Sequence, residues 1–599
     1  MREKRGHRER FPTQGLARAT RKRFLRDGGC WRVSADELEE LARRFALQNA
    51  LDHRGEANQG AVIGRIMSYD EDYKDQPDEV ARVAGRIVGQ INELDETDQR
   101  AELDELGSIE MEAKDSQREG LPELPNAEGG DVVMRFAPNP NGAPSLGHSR
   151  GMCINGRYAD LYDGTLILRF DDTDPVNKPP SRPAYDWFEE EFAWLGADVD
   201  RVLRASDRMD AYYDCAETAI DIGAAYTCEC SPEQFREHKK AAEACPHREE
   251  PVEEQKSRWR RMMQGGYEPG DCVLRIKTDM QHDDPALRDW VAFRIVDVDE
   301  NPHCRVGSEY HVWPLLDFQS AVDDYREGTT HIIRGKDLAD SERKQRFLYE
   351  HFGWEYPQVL HWGRVGMHEF GTFSTSTMQA DIAAGAYDGW DDPRLPTLKA
   401  LRRRGFLPEA IVTFWVDLGL TEKDIDVSFE TLAAENRKLL DERADRLFFV
   451  PDPTPVTIEG LEDPIEAELA VHPDDTDRGV RTMTITGEVL VPSDEVADLE
   501  EGTRFRLKDG LDATWLGDGL ARFESRMPTE DREGPIVQWA VPDSPEASVL
   551  RPDASTETGV VEPAALDHDA DDLVQFERYG FGRIERVGED EVDAVFGHR

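Results

Sequence analysis

Long apolar runs are missing from this 599-residue chain: no stretch approaches the ~18 consecutive apolar residues a membrane-spanning helix needs. The N-terminus is basic but has no apolar segment behind it, so neither a secretory leader nor a membrane association is expected. Cysteine is scarce. With eight in all and no secretory signal, the expectation is reduced thiols in a cytoplasmic protein. Cys30, Cys153, Cys215, Cys272 and Cys304 stand singly, as core residues do. Positive charge is the scarcest commodity: 73 Lys and Arg face 124 Asp and Glu, a formal charge of −51. Phosphate contacts need cations, so such a chain would ordinarily bind nucleic acid poorly. The acidic excess runs through nearly every segment, including Asp95–Asp115 and Glu462–Asp477. A halophilic protein in a high-salt cytosol is expected instead, where the Debye length shrinks to roughly 3 Å at 1 M. The charge therefore does not exclude a nucleic-acid partner.

The length requires several domains, and 38% apolar residues suffice for several cores. Residues 1–33 form a basic tail, expected to be disordered. A helical module is expected over 34–128. Ser34 and Glu37 have capping-box spacing, and Leu38, Leu41, Ala42 and Phe45 form a first helical stripe. Val80, Val83, Ala84, Ile87, Val88 and Ile91 form a second. After a Pro/Gly-containing acidic linker come a strand at Val132–Ala137, a turn, a helix from about Gly147 and a strand at Leu166–Phe170. That order begins a parallel, nucleotide-binding α/β sheet of the Rossmann kind, with later strands near His331–Ile333 and Val359–His361. Helices are expected from Leu395 to about Arg446, then strands such as Thr482–Thr486, Ala513–Leu516 and Ile536–Val541.

The turn after the first strand reads Arg135-Phe136-Ala137-Pro138-Asn139-Pro140-Asn141-Gly142-Ala143-Pro144-Ser145-Leu146-Gly147-His148. Prolines and Gly142 make it tight, Gly147 permits close approach of a ligand, and the new helix offers its N-terminal amides to phosphate. His148 can donate to developing phosphoryl charge. The alternative is a proline-rich surface loop.

This stretch resembles the HIGH signature of class I aminoacyl-tRNA synthetases, in their glutamate/glutamine branch. Phe170-Asp171-Asp172-Thr173-Asp174-Pro175 is similar to that branch's second hallmark. Trp390-Asp391-Asp392-Pro393-Arg394-Leu395-Pro396-Thr397 and Leu401-Arg402-Arg403-Arg404-Gly405 resemble its tRNA-stem contact region. The likeness runs from roughly Ser34 to the C-terminus and is closest to the archaeal glutamyl enzymes. It implies a multidomain fold: an α/β Rossmann catalytic domain in two halves (129–227 and 301–365) around an acceptor-stem insertion (228–300). A helical stem-contact domain (366–446) and all-β anticodon-binding barrels (447–599) come next, after the helical N-terminal module.

The same resemblance implies that Arg135, Asp171, Leu316 and Arg334 line the amino-acid pocket, Asp171 holding the ammonium. ATP with Mg2+ would lie among Asn139, Asn141, Gly142, Gly147, His148, Arg364, Val365, Ser374, Thr375 and Ser376. His148, Ser145 and Arg334 would act directly in the reaction, and Trp390, Arg394, Arg402, Arg403 and Arg404 would meet tRNA. The implied partners are L-glutamate, ATP and tRNA(Glu), with tRNA(Gln) an open second acceptor; a monomer is expected.

Arg334, in His331-Ile332-Ile333-Arg334-Gly335-Lys336-Asp337, decides between glutamate and glutamine. A buried guanidinium suits a side-chain carboxylate through a charge-assisted fork and leaves an amide poorly matched. The alternative is a strand-end arginine paired with a local acid such as Asp337. Three positions depart from the family pattern. Ser145 replaces the first His of HIGH, Leu316 a pocket Tyr, and Thr377, in Phe373-Ser374-Thr375-Ser376-Thr377-Met378, the signature-loop Lys. These departures keep a catalytically weak tRNA-binding paralogue beside glutamate ligation, and a glutaminyl enzyme, disfavoured by Arg334, is the other alternative.

Cys228-Glu229-Cys230 and Cys245-Pro246-His247 pair a Cys-x-Cys with a Cys-x-His across fourteen residues. Three thiols and an imidazole are a normal structural zinc set, with no position left open for catalysis. The alternative is coincidence beside a helix, and Glu229 is expected at the surface.

Overall fold

The computed structural model describes residues 35–52, 57, 59–69, 77–92, 94, 96–106, 120–127, 131–367, 369–370, 374–526 and 534–599. The expected basic tail, Ser34 of the capping box, Cys30 and Phe373 lie outside the described residues. The chain divides into two compact units, residues 1–117 and 118–599.

In the first unit the described residues form helices α1 (Ala35–Asp52), α2 (Gln59–Tyr69), α3 (Pro77–Ile91) and α4 (Glu96–Leu106). Both stripes expected from the sequence are buried. Leu38, Leu41, Ala42 and Phe45 of α1 meet Val80, Val83, Ala84, Ile87, Val88 and Ile91 of α3 in one core. A helix on a 3.6-residue period can bury only one face, and here two such faces close on each other.

The second unit opens with β1 (Val133–Phe136), α5 (Leu146–Tyr162), β2 (Thr165–Phe170), α6 (Arg182–Trp194) and β3 (Arg201–Arg204). The chain then leaves the sheet. It forms α7 (Met209–Asp221), β4 (Ala225–Cys228), α8 (Pro232–Ala241), α9 (Val252–Met263), β5 (Val273–Ile276), β6 (Val291–Ile295) and β7 (Val312–Pro314). Strands β4 to β7 pair antiparallel around Trp259, Phe293 and Trp313. This inserted layer reaches Pro314, past the expected boundary at 300. Helix α10 (Leu316–Arg326) brings the chain back to β8 (His331–Gly335), α11 (Ala339–Phe352) and β9 (Gln358–Trp362). The main sheet runs β3-β2-β1-β8-β9 with every pair parallel. Strand order reverses beside β1, where α/β sheets open a crevice at the carboxyl ends of their strands.

Next come β10 (Val365–Met367), α12 (Thr375–Ala383), α13 (Leu398–Arg403), α14 (Pro408–Leu418), β11 (Ile425–Val427) and α15 (Phe429–Arg443). From Asp445 onward strands dominate the regular structure of the described residues, in barrel-like sheets of seven and six strands and a two-stranded ribbon. The strand expected at Ile536–Val541 shortens to Ile536–Val537, because the Gln538 N–H turns to the Glu495 carboxylate; Ala540 returns only as a bridge to Leu490. No helix among the described residues is long and apolar enough to cross a membrane.

Candidate active site

Pleat parity decides what faces the crevice. Arg135 pairs with Ile167, so Arg169, two residues on, points to the same face of the sheet. Met134 pairs with His331, which puts Arg334 on that face too. Three arginines thus share one face near the carboxyl ends of β1, β2 and β8, and α10 and α11 pack over it.

Helix α10 neutralises two of them. Asp324 accepts from Arg135 Nε at 3.1 Å and from Arg169 Nη1 at 2.7 Å. Arg169 also donates to Asp171 (2.7 Å) and Ser320 (2.8 Å), and Gln319 donates to Asp171 at 2.9 Å. Asp323 is held by Arg208 at 2.8 Å and by the Tyr212 hydroxyl at 2.6 Å. Burial pushes the Asp171 carboxyl above its usual range, although Arg169 and Gln319 pull the other way.

Arg334 differs. It is 5% exposed, yet its guanidinium meets only neutral acceptors: Gln345 Oε1 at 3.3 and 3.4 Å and the Tyr356 hydroxyl at 2.7 Å. Among the described residues no carboxylate lies within ion-pair distance of it, and its Nε–H is buried without a partner. Asp337, the local acid that could have claimed it, lies instead against Gly335, where a Cβ would meet its carboxylate.

The turn after β1 is locked to the helical domain. Leu146 N–H donates to Pro396 O (2.8 Å) and Leu398 N–H to Pro144 O (2.9 Å), which forms a bridge between Ser145 and Thr397. A side chain at Gly142 would strike the Trp390 ring and the Thr375 methyl. Asn141 donates to Ser376 at 3.3 Å, and Asn139 donates to the Asp171 carbonyl at 3.0 Å. Gly147 faces open space: a Cβ there would have nothing nearer than Ser145 Oγ at 3.6 Å. Asn141, Gly142, Thr375, Ser376 and Trp390 are thereby brought together, with Asn139 on the same turn and Gly147 and His148 at the start of the helix it leads into. Arg364, exposed, and Val365 lie at β10, with the Arg364 N–H bonded to Asp424 at 2.6 Å. Leu316, 44% exposed, opens α10.

Ser145 is the N-cap of α5. Its hydroxyl accepts from His148 N–H, while its own N–H donates to His148 Nδ1 at 3.1 Å. With Nδ1 accepting, a neutral imidazole carries its proton on Nε2, which can donate outward. Burial, helped by Lys178, lowers His148 to about 4. Lys178 had not been singled out in the sequence. Because the folded value lies below the unfolded ~6.5, protonation favours the unfolded chain. The contribution to stability is whole above ~6.5 and declines as pH falls from there towards about 4. Histidine-selective NMR should place the His148 midpoint near about 4, with no imidazole inflection in activity between pH 6 and 8. A midpoint at the unfolded value would contradict this environment.

In the signature loop Ser374 caps α12 and its Oγ lies 2.7 Å from the Thr377 hydroxyl, so that hydroxyl is already engaged. Of the arginines expected to meet tRNA, Arg394 is bidentate to Asp392, and Arg403 pairs with Glu585 at 2.6 Å. Arg404 is buried: it donates to the Gly597 carbonyl at 2.7 Å and lies over the rings of Phe406 and Phe429, a packing role inside the protein. Arg402 is exposed over Trp194, without an ion pair among the described residues.

Away from the crevice, at the end of β4, Cys228, Cys230, Cys245 and His247 bring all four donor atoms within 4.8 Å of one another. Cys228 and Cys245 Sγ are 3.8 Å apart, the edge of a tetrahedron with metal–sulfur bonds of about 2.3 Å. Gln255 fixes the knuckle by accepting from Thr227 N–H and donating to the His247 carbonyl. Glu229 is exposed and bonded to Tyr267 and Arg258. The donor set and spacing suit a closed tetrahedral ion.

Residues 131–442 match the family model described as tRNA synthetases class I (E and Q), catalytic domain. Residues 444–516 and 536–585 match two models of the anti-codon binding domain of that class. The glutamate–tRNA ligase of Methanothrix thermoacetophila is 46% identical, over 94% of this chain and 100% of that protein. Those of Methanosarcina acetivorans and Thermococcus onnurineus are each 44% identical, over 95% and 94% of this chain and 100% of each relative. A solved glutamate tRNA ligase from Elizabethkingia meningosepticum, in complex with its amino acid, aligns at TM-score 0.38 and 20% identity over 52% of this chain and 70% of that one.

Proposed function

From the premise that the chain belongs to the class I aminoacyl-tRNA synthetases of the glutamate/glutamine branch, we propose that it ligates L-glutamate to tRNA(Glu) at the expense of ATP. One observation carries the choice of glutamate: Arg334 is a buried cation without an acid partner among the described residues, in a chain whose acids outnumber its cations. A buried charge left so costs several kcal/mol unless something completes it. A ligand carboxylate does so; an amide does not.

The glutamate side chain extends to Arg334, its ammonium to Asp171, and its α-carboxylate faces the nucleotide. A carboxylate oxygen bonds to the α-phosphorus while the bond to the β-phosphate oxygen breaks, and pyrophosphate leaves with that electron pair. The tRNA's terminal ribose hydroxyl then attacks the acyl carbon and releases AMP. No protein nucleophile is needed; positioning and charge stabilisation suffice. His148 Nε2–H and the amides opening α5 face the phosphates, and Asn139, Asn141, Ser374, Thr375 and Ser376 surround them, with Arg364 and Val365 on the adenine side. When bound with ATP, Mg2+ would supply charge neutralisation of the triphosphate. Trp390, Arg394, Arg402 and Arg403 offer the stem-contact surface, and the C-terminal sheets read the anticodon. The chain acts as a monomer in the cytoplasm, where its substrates are.

Zinc held by Cys228, Cys230, Cys245 and His247 has a structural role. One zinc per chain is expected, and Co2+ put in its place should show a thiolate-to-metal absorption band that Cys245→Ser weakens. Protein purified under reducing conditions without any metal would refute the site.

The decisive assay is ATP–pyrophosphate exchange in the presence of tRNA, at low and high potassium chloride. Exchange should depend on glutamate and be far weaker with glutamine. Preference for glutamine would make it a glutaminyl enzyme. Absence of exchange at every salt concentration would favour the tRNA-binding paralogue, which the engaged Thr377 hydroxyl and exposed Leu316 keep as the second reading.

A further inference from the structure

The arginine that reads the substrate has to be held still without being neutralised. We propose that Gln345 and Tyr356 are positioning residues that set amino-acid specificity by clamping Arg334 with neutral acceptors only, an inference that rests on the proposed activation of glutamate.

Gln345, on the inner face of α11, is 1% exposed. Its Oε1 takes hydrogen bonds from both terminal nitrogens of Arg334 and, at 2.7 Å, from the Tyr356 hydroxyl. That hydroxyl in turn accepts from Arg334 Nη2 at 2.7 Å. The directions are consistent around the triangle: arginine gives to both partners, and the phenol passes its own proton to the amide oxygen. Burial pushes the Tyr356 phenol up to about 12 although Arg334 pulls it the other way, so it stays uncharged at any working pH.

The clamp is itself fixed. Tyr356 lies edge-on to Tyr349, with centroids 4.7 Å apart, and the Arg346 guanidinium covers its ring at 4.5 Å. Glu342 also lies on α11 but is engaged elsewhere, by Arg346 at 2.7 Å and His361 at 3.3 Å. Asp324 is taken by Arg135 and Arg169. Each acid close to this corner is therefore committed, and both partners left to Arg334 are neutral.

A guanidinium offers five N–H groups. Three are in use here, one on Nη1 and both on Nη2; the two remaining, the buried Nε–H and the second on Nη1, lie on opposite edges of the guanidinium, so a ligand carboxylate takes one of them while its charge completes the cation. A carboxylate at position 345 would fill the same space and occupy the same nitrogens, but would take the charge that the substrate needs. Neutrality at 345 thus serves as a condition of the specificity.

The test uses the full chain carrying Gln345→Glu and, separately, Tyr356→Phe, measured by tRNA-dependent ATP–pyrophosphate exchange and thermal unfolding. Gln345→Glu should raise the glutamate KM by about 10²-fold, the scale of a lost buried charge pair, with the KM for ATP unchanged. Its unfolding midpoint should hold or rise, because Arg334 gains an internal partner. Tyr356→Phe should raise the glutamate KM about tenfold, as loss of one aiming hydrogen bond does, again without moving ATP. A wild-type glutamate KM in Gln345→Glu sinks the clamp, and so does a KM that rises for ATP and glutamate alike as the midpoint falls. Wild-type protein with no glutamate-dependent exchange overturns the glutamate assignment first, and the clamp with it.

Discussion

Arg334→Ala should lower the catalytic efficiency of glutamate activation about 10³-fold while leaving the KM for ATP unchanged and without lowering the stability of the fold. Truncating one partner of a buried, hydrogen-bonded charge pair costs roughly 2–5 kcal/mol, and each ~1.4 kcal/mol is tenfold in rate. The unliganded protein loses little, because Arg334 has no carboxylate to abandon and only hydrogen bonds to Gln345 and Tyr356 disappear. The effect therefore falls on the complex and not on the apoprotein, whereas removal of a structural arginine weakens the apoprotein itself. Discrimination against glutamine should collapse in the same variant, because it rests on the same donors. Exchange kinetics with both amino acids, set beside thermal unfolding, check it. Retained glutamate preference in Arg334→Ala would move the specificity elsewhere.

Asp324→Asn should do the opposite and unfold the catalytic unit first. Asp324 is 1% exposed and is the shared acceptor of Arg135 and Arg169, so the isosteric amide leaves two buried guanidinia short of an anion. Removing one partner of a buried ionic network costs about 3–5 kcal/mol. Burial pushes this carboxyl up, but Arg135 and Arg169 outweigh it and hold it below the usual carboxylate range. Its stabilising contribution is therefore complete above the unfolded value of ~3.9 and is lost as pH falls below that, through the depressed folded value. The variant should be much weaker than wild type at pH 7, and the gap should close in acid. Denaturation followed by tryptophan fluorescence at pH 7 and in acid measures both. A difference under about 0.5 kcal/mol at pH 7 would mean the network carries no stability.

Much of this fold was legible because its signals are local and periodic. The stripes at Leu38–Phe45 and Val80–Ile91 required only a 3.6-residue period, and both are buried as expected. The turn from Ala137 to Ser145 could be placed because prolines and glycine punctuate a strand end. Contacts between distant segments were not legible. Asp324 lies 189 residues from Arg135, and nothing near either marks the pair. Arg169 was within reach: it stands near the end of β2, two residues before Asp171, and a period of two puts it on the face of Arg135. Gln345 and Tyr356 carry no motif, and a neutral glutamine between Lys344 and Arg346 in a helix of mixed charge reads as surface. Arg404 misled for the converse reason. In a run of three arginines the one turned inward cannot be told from its neighbours, and only the fold shows it satisfying Gly597. A cut at Arg446, where composition places the domain boundary, would accordingly strip partners from Arg404 and from Asn436, which bonds His598 at 2.9 Å.

A crystal structure of the full chain with a non-hydrolysable glutamyl-adenylate analogue tests the central claim most directly. The distal carboxylate should sit about 3 Å from the Arg334 guanidinium, accepting from its Nε–H, with the Gln345 and Tyr356 bonds intact and the phosphate at the start of α5. An analogue whose distal carboxylate points into solvent or is bound by other residues, with Arg334 still holding only Gln345 and Tyr356, would contradict it.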